Sequence, residues 1–512
     1  MIPKFPLVVT LLAVSVTAWM WTTDHVMRAA SVMILAPFWL MLLGLWWALH
    51  RRGVRPKRLG IVIAGFAALF AAFRWSVRYE GSADGSALPS LAFRWQKQSV
   101  PKLKELHTQT AQNTSSDEPA PPGVADMPRF LGEKGDGVLP EPNWQTDWKT
   151  FPPREVWRHE IGPGWSGFAV VGRQAVTQEQ RGSEECVTCY DIATGKLLWS
   201  HADKALFTES MGGDGPRATP TVDAVHGVVF TLGATGILNC LDLKTGALKW
   251  TQDVMGEAGN VPPLEWGKSA SPLLAGDLVV CSGGGKGVSL LAFKRESGEV
   301  AWKTGSDGGS YSSPILMTLG GREQIVSVNR ASVTGHAPAD GHVLWSFEWP
   351  GELPKVCQPV QTAPDRVLIT SSYGLKSHLM EIKADSAGKL AATPLWGSTA
   401  ARTKFSSASV LGTHAYALDE GTLACVDLSN GERVWREGRY GFGQQVRVGS
   451  SWLLLQAEKG FVALIKASPQ KLDEVSRFPA LSSKTWNPPT LAGRWLLVRN
   501  DREAVCYEIP SK

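Results

Sequence analysis

The sequence predicts an all-β fold, an eight-bladed β-propeller, preceded by an N-terminal anchor of three transmembrane helices. The first observation is a repeat: Cys189-Tyr-Asp-Ile-Ala-Thr-Gly-Lys-Leu-Leu-Trp199 returns as Cys240 to Trp250 and again as Cys425 to Trp435. The second is the spacing of the tryptophans that end the unit, Trp157, Trp199, Trp250, Trp302, Trp345, Trp396 and Trp435, with Phe478 in the eighth place. A period of roughly forty to fifty residues is that of a four-stranded blade, which buries both faces only by stacking on its neighbours. The third is that residues 154–161 carry the second half of the unit without the first, and residues 504–509 the first half without the second. Pairing these two segments closes the ring.

Each unit reads as a short apolar strand, an Asp and a Gly four residues apart that close a tight turn, and a second strand ending in Trp. Looser copies run from Lys294 to Trp302, from Gly341 to Trp345 and from Gly388 to Trp396. Upstream, three apolar runs predict helices at about 5–21, 29–49 and 59–75. Trp19, Trp21 and Trp75 stand at their ends, where indoles favour a membrane interface. The segment His50 to Arg58 holds five cations in nine residues, and the positive-inside rule assigns it to the cytoplasm. The anchor (1–78) then lies in a bacterial inner membrane, with the propeller (127–512) on the periplasmic side. Residues 79–126, rich in Ser, Asp, Gly and Pro, read as a flexible linker.

Residues 1–105 carry 13 Lys and Arg against 4 Asp and Glu, which leaves 39 against 43 for the rest. The propeller is slightly acidic, so nucleic acid is excluded as a partner. The 22 tryptophans suit flat gaps between sheets. Seven cysteines in an exported chain invite a disulfide reading. However, Cys189, Cys240, Cys425 and Cys506 hold one equivalent place on separate blades, which reads as core filling. Cys186 and Cys189, three apart in a strand, point to opposite faces. No His/Cys cluster has zinc spacing, and no metal site is expected.

The residues before each innermost strand crown one mouth of the central channel: Trp165, Arg217, Trp266 with Lys268, Tyr311, Gln358, Lys404 with Phe405, Gln444, and Lys484 with Trp486. Aromatic and cationic side chains in a ring suit a planar, sugar-like or anionic ligand, or a peptide segment. The same residues also suit a plug, in which the rings fill the channel and the cations are solvated.

The run Asp-x-x-Thr-Gly-x-x-x-Trp, at Asp191 to Trp199 and Asp242 to Trp250, resembles the tryptophan-docking repeat of the pyrroloquinoline quinone (PQQ) propellers. That family includes quinoprotein alcohol and glucose dehydrogenases and the non-catalytic scaffold of the outer-membrane barrel assembly machinery. The resemblance spans about residues 127–512. Phe130 to Gly137, Gly215 to Pro220 and Phe405 to Ser407 look like a membrane-anchored or exported bacterial subgroup of PQQ-like repeat proteins. The multi-helix anchor is similar to that of membrane-bound glucose dehydrogenase, which has more helices. A dehydrogenase of this family needs a divalent cation, usually calcium, beside the quinone, and an Asp base. The crown offers Asp214, Glu265, Asp307 and Asn487 on separate blades, and the chain has neither an adjacent Cys-Cys pair nor a Cys-x-x-Cys-His haem site. The expectation is a binding or scaffold module for a protein or envelope polymer, with no cofactor and no catalytic residue assigned. The alternative is a dehydrogenase of sugars or alcohols using PQQ with calcium.

Overall fold

A computed structural model describes residues 4–22, 28–49, 56–96, 103–110, 118–285, 287–351 and 353–512. The chain divides into two units, residues 1–99 with 210–213, and residues 100–209 with 214–512.

The first unit holds α1 (Lys4–Thr22), α2 (Arg28–Leu49) and α3 (Pro56–Ser76). Trp39 Nε1 in α2 donates to Thr10 Oγ1 in α1 at 3.0 Å. Among the described residues α3 is long and apolar enough to cross a membrane, and none of its side chains is buried. The apolar helical stretches Phe5–Trp21 and Leu35–Leu49 are shorter. Most of the cationic connection, residues 50–55, lies outside the described residues, as do residues 97–102 and 111–117 of the expected linker.

The linker expectation needs correction at two places. Val77–Ser82 pairs antiparallel with Pro89–Phe93, closed by Ala83 N donating to Leu88 O at 2.6 Å and Ser86 N to Asp84 Oδ1 at 2.9 Å. The Asp-Gly turn and the aromatic and β-branched residues beside it form a hairpin despite the polar composition around them. Further on, Gln109 and Ser200 exchange backbone hydrogen bonds, adding a bridge to the edge of the first blade.

The second unit is a ring of eight antiparallel sheets. Blades 1 to 7 run in sequence over residues 169–203, 221–253, 273–304, 315–348, 360–398, 409–439 and 444–479. Blade 8 takes three strands from residues 490–508 and its outermost strand from Arg154–Glu160. In that seam Cys506 lies opposite Trp157 and Val505 opposite Arg158, and Arg158 ion-pairs with Glu503.

The repeat now has a physical meaning. In the turn, Asp191 Oδ1 accepts from the backbone of Ala193 and Thr194 and from the Thr194 hydroxyl at 2.9–3.0 Å, and Gly195 N closes onto Asp191 O at 2.8 Å. Opposite five of the docking tryptophans sits a small third-strand residue: Cys189, Cys240, Ala292, Cys425 and Cys506 face Trp199, Trp250, Trp302, Trp435 and Trp157, whereas Trp396 faces Leu379. The cysteines make room for the indole, and all seven are buried and free. The indole N–H then reaches the next blade: Trp157 donates to Ile192 O, Trp199 to Leu243 O, Trp250 to Arg295 O, Trp302 to Pro338 O, Trp396 to Leu428 O and Trp435 to Ser468 O, at 2.7–3.3 Å.

Two positions break the rule. Trp345, expected to dock likewise, is bonded through Nε1 to Gln324 of its own blade and lies over Gly335. The turn it would need in blade 5 is displaced by the longer strands there, Ser377–Ala384 and Leu390–Ser398. Phe478 is not the eighth docking residue either, because the position opposite the third strand is Ser476, paired with Leu464. Trp148, from the segment before the ring, packs there: its backbone N donates to Ser476 Oγ at 3.0 Å and its ring packs edge-on against Phe478 at 5.4 Å, while its Nε1 donates to Gln145 O of its own segment at 3.0 Å.

The docking turn has no room for a side chain. A Cβ on Gly246 would stand 2.5 Å from Trp199 Cε3, at φ +74°. Gly246→Ala should lower stability by roughly 2–4 kcal/mol, from left-handed backbone plus overpacking. Gly412, at φ +58° with open space around it, isolates the backbone part, so Gly412→Ala should cost only about 1 kcal/mol. Urea unfolding midpoints of the two variants check the difference.

Candidate functional site

The innermost strands run from the crown to the opposite mouth. In blade 7, Gln444 begins such a strand at the crown, and Val448 ends it at the far mouth.

At the crown, residues from five blades meet as one chain of rings. Trp165 packs on Trp486 with centroids 4.8 Å apart, Trp486 on Phe405 at 5.2 Å, Phe405 edge-on to Trp266 at 6.4 Å, and Trp266 on Tyr311 at 5.3 Å. Phe405 precedes blade 6 and Trp266 precedes blade 3, so this contact crosses the channel axis. Phe442 backs Phe405 at 6.1 Å. The cations are engaged by the protein itself. Lys404 is buried over Phe442 and Tyr373, 4.5 and 5.2 Å from the ring centres, and pairs with Glu420 at 3.3 Å. Lys484 stands 4.2 Å over Trp486, and Arg217 stands 4.6 Å over Phe207. Burial pushes the Arg217 guanidinium down to about 10. Gln444 Nε2 donates to Phe405 O at 2.7 Å and to Trp486 O at 3.1 Å, while Trp486 Nε1 donates to Glu458 Oε1 at 2.7 Å.

Two of the expected crown residues point elsewhere. Lys268 turns into blade 3, where Nζ donates to Ser282 O at 2.5 Å, Ser282 Oγ at 2.9 Å and Gly283 O at 3.2 Å; burial lowers it to about 8. Gln358 belongs to a belt of bonds between blades, described below.

The family model described as outer membrane protein assembly factor BamB (PQQ_2) matches residues 183–437. The match covers just under half of the chain, and the fold around it is an eight-bladed propeller. No curated protein sequence matches it. Among solved structures it is similar to BamB from Moraxella catarrhalis, at 14% identity and a TM-score of 0.51 over 70% of this chain and 100% of that one. It is also similar to the quinohemoprotein alcohol dehydrogenase of Comamonas testosteroni, at 11% identity and a TM-score of 0.56 over 76% and 81%. A europium-containing methanol dehydrogenase aligns at 12% identity and a TM-score of 0.52 over 73% and 89%. At these identities the likeness shows the fold alone.

A belt of hydrogen bonds runs around the channel below the rings. Gly167 N donates to Thr219 Oγ1, Thr219 N to Ser271 Oγ, Ser271 N to Ser313 Oγ, Ser313 N to Gln358 Oε1 and Gln358 N to Ser407 Oγ, at 2.8–3.0 Å. Asn487 Nδ2 continues it from blade 8 to the Gly164 and Ser166 carbonyls of blade 1 at 3.0 and 2.9 Å. In the first five links a side-chain oxygen of the next blade satisfies a backbone N–H just before an innermost strand. The sequence signal was the recurring polar residue before proline at Thr219, Ser271, Ser313, Gln358 and Asn487. Proline ends the run of donors, so the preceding N–H has to find a partner in the next blade.

The far mouth is strapped by residues 127–139. Met127 and Val170 of blade 1 exchange backbone bonds at 2.8 Å, Val222 N of blade 2 donates to Pro128 O at 2.8 Å, and Val138–Leu139 pairs parallel with the innermost strand of blade 7. A small cavity remains beneath Arg129, Phe130 and Lys134, against Thr221, Ser271 and Ser313. Sequence reasoning missed this strap, and it missed Glu420, Glu458, Tyr373 and Phe442 at the crown. Glu420 and Glu458 lie in turns between second and third strands, which also rise to the crown.

Proposed function

We propose that this PQQ-like propeller is a membrane-anchored, periplasm-facing binding or scaffold module for a protein or envelope-polymer partner. The observation that carries the proposal is the Phe405–Trp266 contact across the channel axis. A quinone in a propeller needs a planar slot, carboxylate and amide oxygens for its cation, and a base. The crown rings instead pack on one another at interplanar angles of 42°, 56° and 83°. Glu458 accepts from Trp486, and Glu420 from Lys404 and Ser372. Among the described residues no group of three or more His, Cys, Asp or Glu side chains is placed to hold a metal ion. These residues do not fit PQQ with calcium. The membrane and envelope part of the reading draws on α3 and on the assembly-factor description of the matching family.

The test uses the full chain in nonionic detergent, supplied with PQQ and calcium and assayed by dye reduction with a panel of sugars and alcohols. The expected result is no turnover above the dye blank, together with recovery of a specific partner after cross-linking in intact membranes. Sustained turnover on any one alcohol or sugar overturns the proposal.

A further inference from the structure

The strap at the far mouth leaves a small cavity against the belt, with Arg129, Phe130 and Lys134 on one side and Ser271, Ser313 and Gln358 of blades 3, 4 and 5 on the other. The strap is coiled tightly enough to bring its two cations to one place. Gly132 N donates to Arg129 O, Gly135 N to Gly132 O and Gly137 N to Leu131 O, at 2.9–3.1 Å.

Hydrogen bonding on the cavity wall is one-sided. Gln358 is 4% exposed, and its Oε1 accepts from Ser313 N at 2.8 Å and from Ser312 Oγ at 2.7 Å. A backbone N–H can only donate, so the amide is fixed with its oxygen toward Ser313. Its Nε2 donates to no protein group among the described residues. Ser271 Oγ accepts from Thr219 N at 3.0 Å and Ser313 Oγ from Ser271 N at 2.9 Å, while neither hydroxyl proton has a protein acceptor among the described residues. Thr221 beside them is spent, its hydroxyl donating to Pro272 O at 2.7 Å.

The strap adds charge to these donors. Arg129 is half-buried and donates through Nε to Glu133 O at 2.6 Å, and its two terminal nitrogens make no hydrogen bond or ion pair among the described residues. Burial works against the Arg129 charge, with Asp136 and Glu133 acting the other way. Neither carboxylate lines the cavity, and Asp136 Oδ1 is taken by Val138 N at 3.0 Å. Leaving buried donors without acceptors is costly, and a carboxylate only accepts, so it matches a wall that only donates. One half-buried cation balances one negative charge; a phosphate dianion would bring a second with nothing buried to offset it. Leu273 and Ile315 complete an apolar wall, and the small space calls for a short group.

We propose that Arg129, Ser271, Ser313 and Gln358, with the exposed Lys134, bind a small monocarboxylate, free or at the end of a peptide chain. The site lies at the opposite mouth from the crown and does not depend on the scaffold reading.

The full chain in nonionic detergent is titrated at fixed ionic strength with sodium acetate and, separately, with N-acetylglycine, following saturation transfer to the methyl protons by NMR and the thermal midpoint; inorganic phosphate is added as competitor. Acetate should bind saturably and raise the midpoint, and phosphate should displace it only weakly. Equal or weaker binding of N-acetylglycine identifies a free carboxylate as the ligand, and tighter binding identifies a chain end. Arg129→Gln should weaken acetate about tenfold, as for a lost charge-assisted pair, with Arg129→Lys in between. Lys134→Gln should weaken it about twofold. Lys134 makes no hydrogen bond or ion pair among the described residues, so Lys134→Gln should keep the wild-type midpoint without carboxylate, which separates loss of the site from loss of the fold. Sodium chloride in place of acetate should leave the midpoint unchanged. No saturable acetate binding by the wild type, phosphate binding as tight as acetate, or unchanged affinity in both Arg129→Gln and Lys134→Gln overturns the site.

Discussion

Arg499→Ala should destabilise the ring by about 3–5 kcal/mol, the cost of breaking a buried, fully hydrogen-bonded charge network. Arg499 lies on the second strand of blade 8 and is fully buried. Its guanidinium crosses to blade 1, donating to Thr177 Oγ1 at 2.9 Å, Gln178 O at 2.8 Å and Gly162 O at 2.9 Å. Burial pushes Arg499 down to about 10, which leaves it charged at neutral pH. Beside it, Glu179 accepts from Gly162 N at 2.5 Å, Tyr190 Oη at 2.7 Å and Arg181 Nε at 2.6 Å. Burial alone would push the Glu179 carboxyl up, but the charges of Arg181 and Arg499 outweigh it and hold the group below its ordinary range. Alanine at 499 orphans three buried acceptors and removes one of the two cations that keep Glu179 ionised. Arg499→Lys keeps the charge and loses the fork, so it should fall between alanine and wild type. Because blade 8 takes its outermost strand, Arg154–Glu160, from the other end of the propeller, the damage should concentrate at the seam. Urea unfolding measures the loss, and limited proteolysis with mass spectrometry should show early cleavage around residues 154–160. A loss under about 1 kcal/mol would mean that the network is not what latches the ring.

The second large effect depends on pH. Glu185, 4% exposed on the third strand of blade 1, accepts from Ala234 N at 2.9 Å and Thr235 Oγ1 at 3.2 Å. Burial, with a further push from the neighbouring Asp203, raises its carboxyl to about 7, against the opposing effect of those donors. The folded state therefore holds a proton that the unfolded chain releases from about pH 4.5 upward. The stability this contributes is fully present below that value, declines as pH rises, and is lost once pH passes the folded value near 7. A shift of this size amounts to roughly 3 kcal/mol. Glu185→Gln carries no titrating proton, so its stability should lack that share of the decline between pH 5 and pH 8. Chemical denaturation of both proteins at several pH values checks this; parallel pH profiles would show that Glu185 is ionised in the fold at neutral pH.

The blade count, the ring and the identity of most docking tryptophans were legible in the sequence because they are local and periodic. An Asp and a Gly four residues apart close the same turn, as at Asp191 and Gly195, and a cysteine or alanine opposite a tryptophan marks the same pocket in five blades. Where periodicity failed, so did the reading. At Trp345 a neighbouring Gln324 captured the indole, and at Ser476 a tryptophan from outside the repeat, Trp148, packs against the blade. Aromatic or cationic residues precede six of the eight innermost strands, yet nothing along the chain says whether Trp266 reaches Tyr311 or continues across the axis to Phe405. That distance depends on channel width, which is set by how eight blades pack together.

By itself, then, the order of residues determined which segments become strands, where they turn and which face is apolar, since strand alternation and turn chemistry act over a few neighbours. Only the tertiary structure decided what the charged and polar side chains do. Lys268 turned inward to three oxygens of its own blade, Lys404 was enclosed by two rings and a carboxylate, and Arg499 crossed to another blade. The partners of a charge are chosen by proximity in space and by the cost of leaving it unpaired away from water, and residues hundreds of positions apart, such as Arg499 and Thr177, become neighbours only when the ring closes.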